Sequence, residues 1–394
     1  MARRKLENWL KGLQEYVEET ESPRVFWLWS GIFTLSAAMR RTVWVPFGLE
    51  NIYPNLYVLF IAPPAARKAN PVKLARKLLN EIKIPVSVDS TTTRALTQEL
   101  VEISKGQLFN YNTKPVSQAP LAVISPEMST LLARDPKGIV ELLVDLYDAG
   151  DTWKYRTSGQ GYDYVYGVCI SCLIATTPGW FANNLPSDAI GGGYTSRNVI
   201  ISASAKYKQV PIPPAPNRKL FEALVHDLNC VATLVGPFKW GEGAVELYEE
   251  WYGTLPKLLL TTKDERLHPY IGRIHTCALK TAMALKVSES DELVLGVDDL
   301  GRAIAMLEEA LRSAPEAFGG YGRSKLGPDT ERIKAQVKAL GRVSLIDLLK
   351  KNFMNLSKRE LLEIMESLEA MELVQSGYDK TGNKLIYVWK GGER

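Results

Sequence analysis

Residues Tyr53–Asn70 place a lysine where a buried strand turns into a helix. The apolar run Leu56–Ala62 leads into Pro63-Pro64-Ala65-Ala66-Arg67, then Lys68, then a helical pattern. That is the setting of a phosphate-binding loop, which needs backbone N–H groups able to wrap a phosphate, a lysine for the β- and γ-phosphates, and a hydroxyl for Mg²⁺. Lys68 is present. Ala62 and Arg67 fill the two glycine positions of G-x-x-x-x-G-K-[ST], and Ala69 fills the hydroxyl position. On spacing alone, an ordinary strand-to-helix turn is the better fit.

Three further strand ends carry chemistry. Leu121–Glu127 is an apolar strand ending in a carboxylate that can orient an attacking water. Pro126 stands where an Mg²⁺-holding Asp is usual, and the bland alternative is a solvated Glu at a strand end. Cys172–Pro178 ends in Thr176 and Thr177, hydroxyls that can sense a γ-phosphate, although threonine is enriched in strands for its own reasons. Gly191–Arg197 is a glycine-rich loop whose Arg197 can reach a neighbouring subunit's phosphate as a finger, or simply sit in a surface ion pair. Arg273 lies inside an apolar helical pattern, so it is either paired structurally or carried on a lid as a phosphate sensor. Cys169 and Cys172 form a C-x-x-C on a strand, where residues i and i+3 face opposite ways. They read as buried free thiols, and no metal site is expected.

The elements that must position these groups are legible as patterns. Helices are expected at 4–24 and 25–39, giving an N-terminal helical pair over 1–45. From 46 to 210, strands at 56–62, 121–125, 168–176 and 198–203 alternate with helices at 71–83, 92–104 and 137–148. Continuous apolar runs alternating with helices imply an α/β layer with a mainly parallel sheet. The proline-rich stretch 211–216 reads as a linker, and 217–317 as wholly helical. A glycine-rich linker at 318–328 then leads to 329–394, ordered helix, strand, helix, helix, hairpin, as in a winged helix.

The composition excludes some classes. The 394 residues carry 48 Lys+Arg against 44 Asp+Glu, with 46% hydrophobic and 23% charged residues, which is not a disordered or low-complexity chain. Charges precede no apolar core at the N-terminus, so no signal peptide is expected. The uncharged stretch 25–39 falls short of the ~20 residues that cross a bilayer. A cytoplasmic protein with no membrane partner is the expectation. Residues 321–394 hold 14 Lys+Arg against 10 Asp+Glu, so the whole net charge of +4 belongs to them. Lys350, Lys351, Lys358, Arg359, Lys380 and Lys384 are candidate phosphate contacts there. Glu360, Glu363, Glu366 and Glu369 on the same predicted helix oppose DNA and leave protein contact as the alternative.

Taken in order, these segments resemble one family, the helicase-like P-loop ATPases of phages, plasmids and other mobile elements. The matching words are Ser22-Pro23, Tyr53–Tyr57, Ala62–Pro64 with Arg67-Lys68, Thr91–Leu100, Ile124–Glu127, Leu146–Asp148, Ala175–Pro178, Gly192–Arg197 and the helix around Tyr270–Ala284. The similarity covers roughly 1–315. It implies an α/β, RecA/AAA+-like core with an all-α lid, assembling as a homo-oligomeric ring, a hexamer being one such form, around DNA, with ATP and Mg²⁺ as cofactors and a primase or other replication protein as partner. Pro64, Ala65, Arg67, Lys68, Ala69, Asn70 and Arg273 would face the nucleotide. Glu127, Thr176 or Thr177, and Arg197 would take the acidic-strand, sensor and finger roles. The chain departs from the family at Ala65, where Gly is expected, at Ala69 and at Pro126. The implied work is replication or mobility of a genetic element. The competing expectations are a non-hydrolysing subunit that binds DNA and a partner and, less favoured, a winged-helix transcriptional regulator.

Overall fold

In a computed structural model the described residues are 3–157, 161–185, 193–317, 327–353, 356–379 and 384–391. The chain forms two compact units, Met1–Gly319 and Gly320–Arg394. The expected linker 211–216 lies within the first unit, and most of the second, 318–326, falls outside the described residues.

The first unit begins with helices α1 (Trp9–Tyr16) and α2 (Arg24–Met39), then strands β1 (Val43–Phe47), β2 (Glu50–Ile52) and β3 (Tyr57–Ile61). Next come α3 (Ala69–Glu81), α4 (Thr93–Gly106), the hairpin β4 (Leu108–Tyr111) and β5 (Lys114–Ser117), and β6 (Ala119–Ser125). α5 (Met128–Leu131) and α6 (Pro136–Leu146) precede a second hairpin, β7 (Thr152–Thr157) and β8 (Gly161–Tyr166), which runs into β9 (Val168–Thr176). α7 (Pro178–Asn184), a 3₁₀ turn (Thr195–Arg197) and β10 (Asn198–Ser202) follow. The remainder is mainly helical: α8 (Arg218–Ala232), α9 (Ala244–Thr261), α10 (His268–Glu289) and α11 (Val297–Ala317), with two-residue strands β11 (Gly236–Pro237), β12 (Lys239–Trp240) and β13 (Val294–Leu295) between them.

The centre of this mixed α/β unit is a parallel sheet in the order β10-β3-β9-β6. β3, β6 and β9 are buried along their whole length, as expected of strands covered on both faces. A parallel bridge from Val86 to Ala122 extends the sheet beyond β6. α2 is the helix read as apolar on nearly every side. It packs on α3, α8, α10 and β9, and is buried from Phe26 to Met39 with little exception. No helix among the described residues is long and apolar enough to cross a membrane.

The N-terminal helix is shorter than its pattern. The Asn8 side chain accepts from the Lys11 N–H and starts the helix late. Before it, the Lys5 and Leu6 amides donate to the buried Asp227 carboxylate, and Arg4 pairs with Asp291, which holds this stretch out of the helix.

The second unit contains α12 (Gly327–Leu340), β14 (Arg342–Ser344), α13 (Leu345–Asn352), α14 (Lys358–Ala370), β15 (Val374–Tyr378) and β16 (Leu385–Trp389). Its strands pair antiparallel in the order β14-β16-β15, over a core of Ile333, Val337, Leu348, Leu361, Met365 and Leu368.

Candidate nucleotide-phosphate site

In a parallel sheet all strands end at one edge, and four chemistry-bearing segments meet there: the loop after β3, Thr176-Thr177 after β9, Pro126-Glu127 after β6, and the residues after β10. Ligands bind such sheets where neighbouring strands send their connections in opposite directions. β3 leads outward, past β9 and β6, to Val86, whereas β9 leads back across β3 to β10. The crevice between β3 and β9 is therefore the switch point, and it lies between Lys68 and Thr176.

The loop itself carries the sequence departures in an informative form. Ala65 and Arg67 both adopt left-handed backbone conformations, with φ of 68° and 60°. Each costs a non-glycine residue roughly 1–2 kcal/mol. Arg67 is followed by Lys68 at φ −59° and ψ −23°. A left-handed residue next to a right-handed one turns successive N–H groups into one anion-binding concavity. α3 opens at Lys68 without a side-chain cap. The backbone thus holds the shape that glycine normally provides, with alanine and arginine in its place.

Lys68 is 6% exposed. Among the described residues, no hydrogen bond or ion pair holds its ammonium group. The stem is buried while the ammonium group keeps contact with solvent, so it is free to meet an anion. Pro64, Ala65, Arg67 and Asn70 are exposed around it and Ala69 is half-buried.

The loop is braced by residues that sequence reading passed over. The Ser22 hydroxyl donates to the Arg67 carbonyl at 2.8 Å. Glu21 accepts from Arg67 Nε at 2.7 Å, from Lys206 Nζ at 2.7 Å and from the Val210 N–H at 3.2 Å. These bonds, Lys206 first and Arg67 next, pull the Glu21 carboxyl down to about 2. In the sequence Glu21 falls inside the helix expected at 4–24, with no role of its own. The one available signal was that Ser22-Pro23 belongs to the series of matching words. Arg76 of α3 reaches the Ile124 carbonyl and pairs with Asp89, joining the helix after the loop to the tip of β6.

The other expected site residues divide by sheet edge. Thr176 is buried opposite Ile61, and its carbonyl accepts from the Ala62 N–H at 3.3 Å. Thr177 caps α7 by accepting from the Trp180 N–H. Glu127 is exposed at the end of β6, two strands or about 10 Å from β3. Its neighbour Ser125 is buried and donates to the Glu127 carbonyl. Arg197 precedes β10, so it lies at the opposite edge, about 16 Å along the strands. It is 8% exposed, donates to the Gly193 carbonyl, and pairs with Asp148 at 3.6 Å. Gly191 and Gly192 of its loop lie outside the described residues. Arg273 also pairs with Asp148, at 3.4 Å, and its side chain is 38% exposed. The structure therefore gathers Arg197 and Arg273 around Asp148 and does not bring either to Lys68 of the same chain. Asp148 itself was visible only inside the Leu146–Asp148 match.

The residues present suit a phosphate better than a metal. Lys68 and the left-handed backbone turns fit an anion, while Ala69 and Pro126 offer Mg²⁺ neither hydroxyl nor carboxylate. Cys169 and Cys172 are free, buried and on opposite faces of β9, and burial pushes the Cys169 thiol up to about 11.

In the second unit, Lys350 and Lys351 end α13, Lys358 and Arg359 begin α14, and Lys384 precedes β16, all exposed. Lys380 lies outside the described residues. Glu360 is occupied in a capping box with Ser357, and Glu369 accepts from the Ser376 N–H and hydroxyl. Two of the four glutamates that oppose phosphate are thus engaged internally, and Glu363 and Glu366 remain exposed.

No protein-family profile matches the chain, and no curated protein matches it.

Proposed function

We propose that the first unit has a P-loop NTPase-like core that binds the phosphates of ATP at Ala62–Asn70, and that the chain is a cytoplasmic, DNA-associated, ring-forming, helicase-like protein serving replication or mobility of a genetic element. The observation that carries this reading is Lys68, a buried lysine with no protein partner among the described residues, set between a buried parallel strand and a helix. Numbered along the chain, the parallel segments β3, Val86, β6, β9 and β10 lie in the order 5-1-4-3-2, with the lysine-bearing strand inside the sheet. That arrangement agrees with a RecA/AAA+-like core. The second unit agrees with a winged helix, since its first strand pairs with its last.

Lys68 would neutralise phosphate oxygens while the Ala65–Lys68 backbone turns amide groups toward them. Thr176 ends the next strand with Thr177 just after it, and these would sense the γ-phosphate while Glu127 would orient a water. A specific observation favours binding over turnover: Ala69 and Pro126 leave the protein without its usual Mg²⁺ ligands. The second reading, a non-hydrolysing subunit that binds DNA and a replication partner, rests on that.

Thermal unfolding with ATP, ADP, inorganic triphosphate and adenosine tests the reading. A ligand at about 100 times its Kd stabilises the folded state by roughly 2.7 kcal/mol. ATP and triphosphate should raise the melting temperature, and adenosine should not. Equal shifts from ATP and adenosine, or none from any of them, would contradict phosphate binding.

A further inference from the structure

The hairpin β7–β8 carries an arrangement that the nucleotide site does not use. Its register pairs Lys154 with Tyr164 and Arg156 with Tyr162, and Thr152 with Tyr166. Directly paired residues share a face of a two-stranded ribbon, as do residues two apart. One face therefore presents Lys154, Arg156, Tyr162, Tyr164 and Tyr166, and all five are exposed. The tyrosines are 58%, 40% and 48% exposed in that order. The other face holds Trp153 stacked on Tyr155 at 5.3 Å and the fully buried Val165, and β8 packs against α4. The inner face thus anchors the ribbon and leaves the outer one open.

The open face is ordered. Tyr162 and Tyr164 have ring centres 6.5 Å apart, and Tyr164 and Tyr166 are 6.3 Å apart and nearly parallel at 11°. Arg156 lies 5.3 Å from the Tyr162 ring centre, and Lys154 Nζ lies 5.7 Å from that of Tyr164. Tyr166 also lines an open cleft of about 470 Å³ together with Arg41, Trp44, Tyr53, Phe109 and Tyr111. The acidic groups beside this track are Asp151, which pairs with Arg41, and Asp163 on the inner face. Singly exposed aromatics are unremarkable, but three in a row on β8 with two cations beside them on β7 form a patch that asks for an occupant.

We propose that this tyrosine ladder binds single-stranded nucleic acid, its rings stacking on successive bases and Lys154 and Arg156 meeting the backbone phosphates. Any base offers a π-face, so the ladder suits a strand without sequence preference. Positive charge is what a phosphate backbone requires, and a duplex hides the base faces that the rings would cover. The ladder is separate from Lys68, and it gives the DNA association proposed above a place on the first unit.

Fluorescence anisotropy of the full-length protein, without nucleotide, measures it with labelled oligo-dT, oligo-U and a duplex of equal length. Wild type should bind the single strands, the dT and U arms showing whether deoxyribose or ribose is preferred, and the duplex more weakly. Tyr164→Ala should weaken single-strand binding by about fivefold or more, since a stacked base contributes roughly 1–3 kcal/mol. The triple Tyr162→Phe/Tyr164→Phe/Tyr166→Phe variant should bind as wild type, because the rings remain. Lys154→Ala/Arg156→Ala should flatten the salt dependence by about 1.4 in slope, at roughly 0.7 per phosphate contact. Lys68→Ala should bind the strands normally, which separates failure of the nucleotide site from failure of the ladder. Circular dichroism verifies that the alanine variants remain folded. Unchanged single-strand binding by folded Tyr162→Ala/Tyr164→Ala/Tyr166→Ala, absence of binding by wild type, or equal duplex binding would overturn the proposal.

Discussion

At the scale of single residues, the candidate site is defined by what its side chains lack. Lys68 makes no ion pair among the described residues, and Ala65 and Arg67 pay for left-handed conformations without glycine's freedom. Ala65 is exposed, so replacing it relieves the backbone without opening a cavity. Ala65→Gly should raise unfolding stability by about 0.5–1 kcal/mol, the relief of a left-handed alanine less the entropy of a free glycine. Chemical denaturation checks this, and a destabilised variant would contradict the strained geometry. The lysine was legible in the sequence because its spacing from the strand was right. The left-handed turns were not, because nothing in Ala65 or Arg67 as residue types announces positive φ. The sequence pattern counted them as departures from a motif, whereas the backbone shows both in the left-handed region that glycine favours.

At the scale of elements, Glu21 joins three segments: the α1–α2 connection, the Lys68 loop through Arg67, and the Lys206–Val210 stretch after β10. Its carboxyl titrates near 2 in the folded protein against an ordinary 4.5. A carboxyl with a depressed folded pKa stabilises the protein above its unfolded pKa, and that contribution is lost as pH falls from about 4.5 toward 2. Glu21→Gln should therefore flatten the acid limb of the stability profile in that window and change it little at pH 7 relative to its own plateau. Acid melts of both proteins measure this, and an unchanged acid limb would show that Glu21 does not clamp the loop. The strands and helices of the core were readable because continuous apolar runs and 3.6-residue periods survive local detail. β6 and β9, for example, lie within two residues of their expected bounds. The late start of α1 was not, because it depends on Asp227, more than 200 residues away. The β7–β8 ribbon was missed for a different reason. Its alternation of tyrosine with lysine, aspartate and valine is polar on one face, and aromatic residues weigh as apolar on either.

At the scale of the whole molecule, the two arginines named for the nucleotide site stand at the sheet edge away from Lys68. Within one chain they hold Asp148 and serve the fold. Arg197 could reach a phosphate only in a neighbouring copy, so its proposed role requires assembly. Native mass spectrometry with and without single-stranded DNA should give a discrete oligomer, and a monomer under both conditions would remove Arg197 from the site. The neutral charge balance of residues 1–320 does not oppose the proposed DNA association, which calls on a few cations on the ribbon and in the second unit. The proposed function rests above all on phosphate binding by Lys68. Calorimetric titration of ATP into the wild type and into Lys68→Ala tests it most directly. Wild type should bind, and the variant should stay folded and bind at least tenfold more weakly, the loss expected for about 1.5 kcal/mol or more from a charge-assisted contact. Equal affinity in both proteins, or no binding by wild type, would contradict the account.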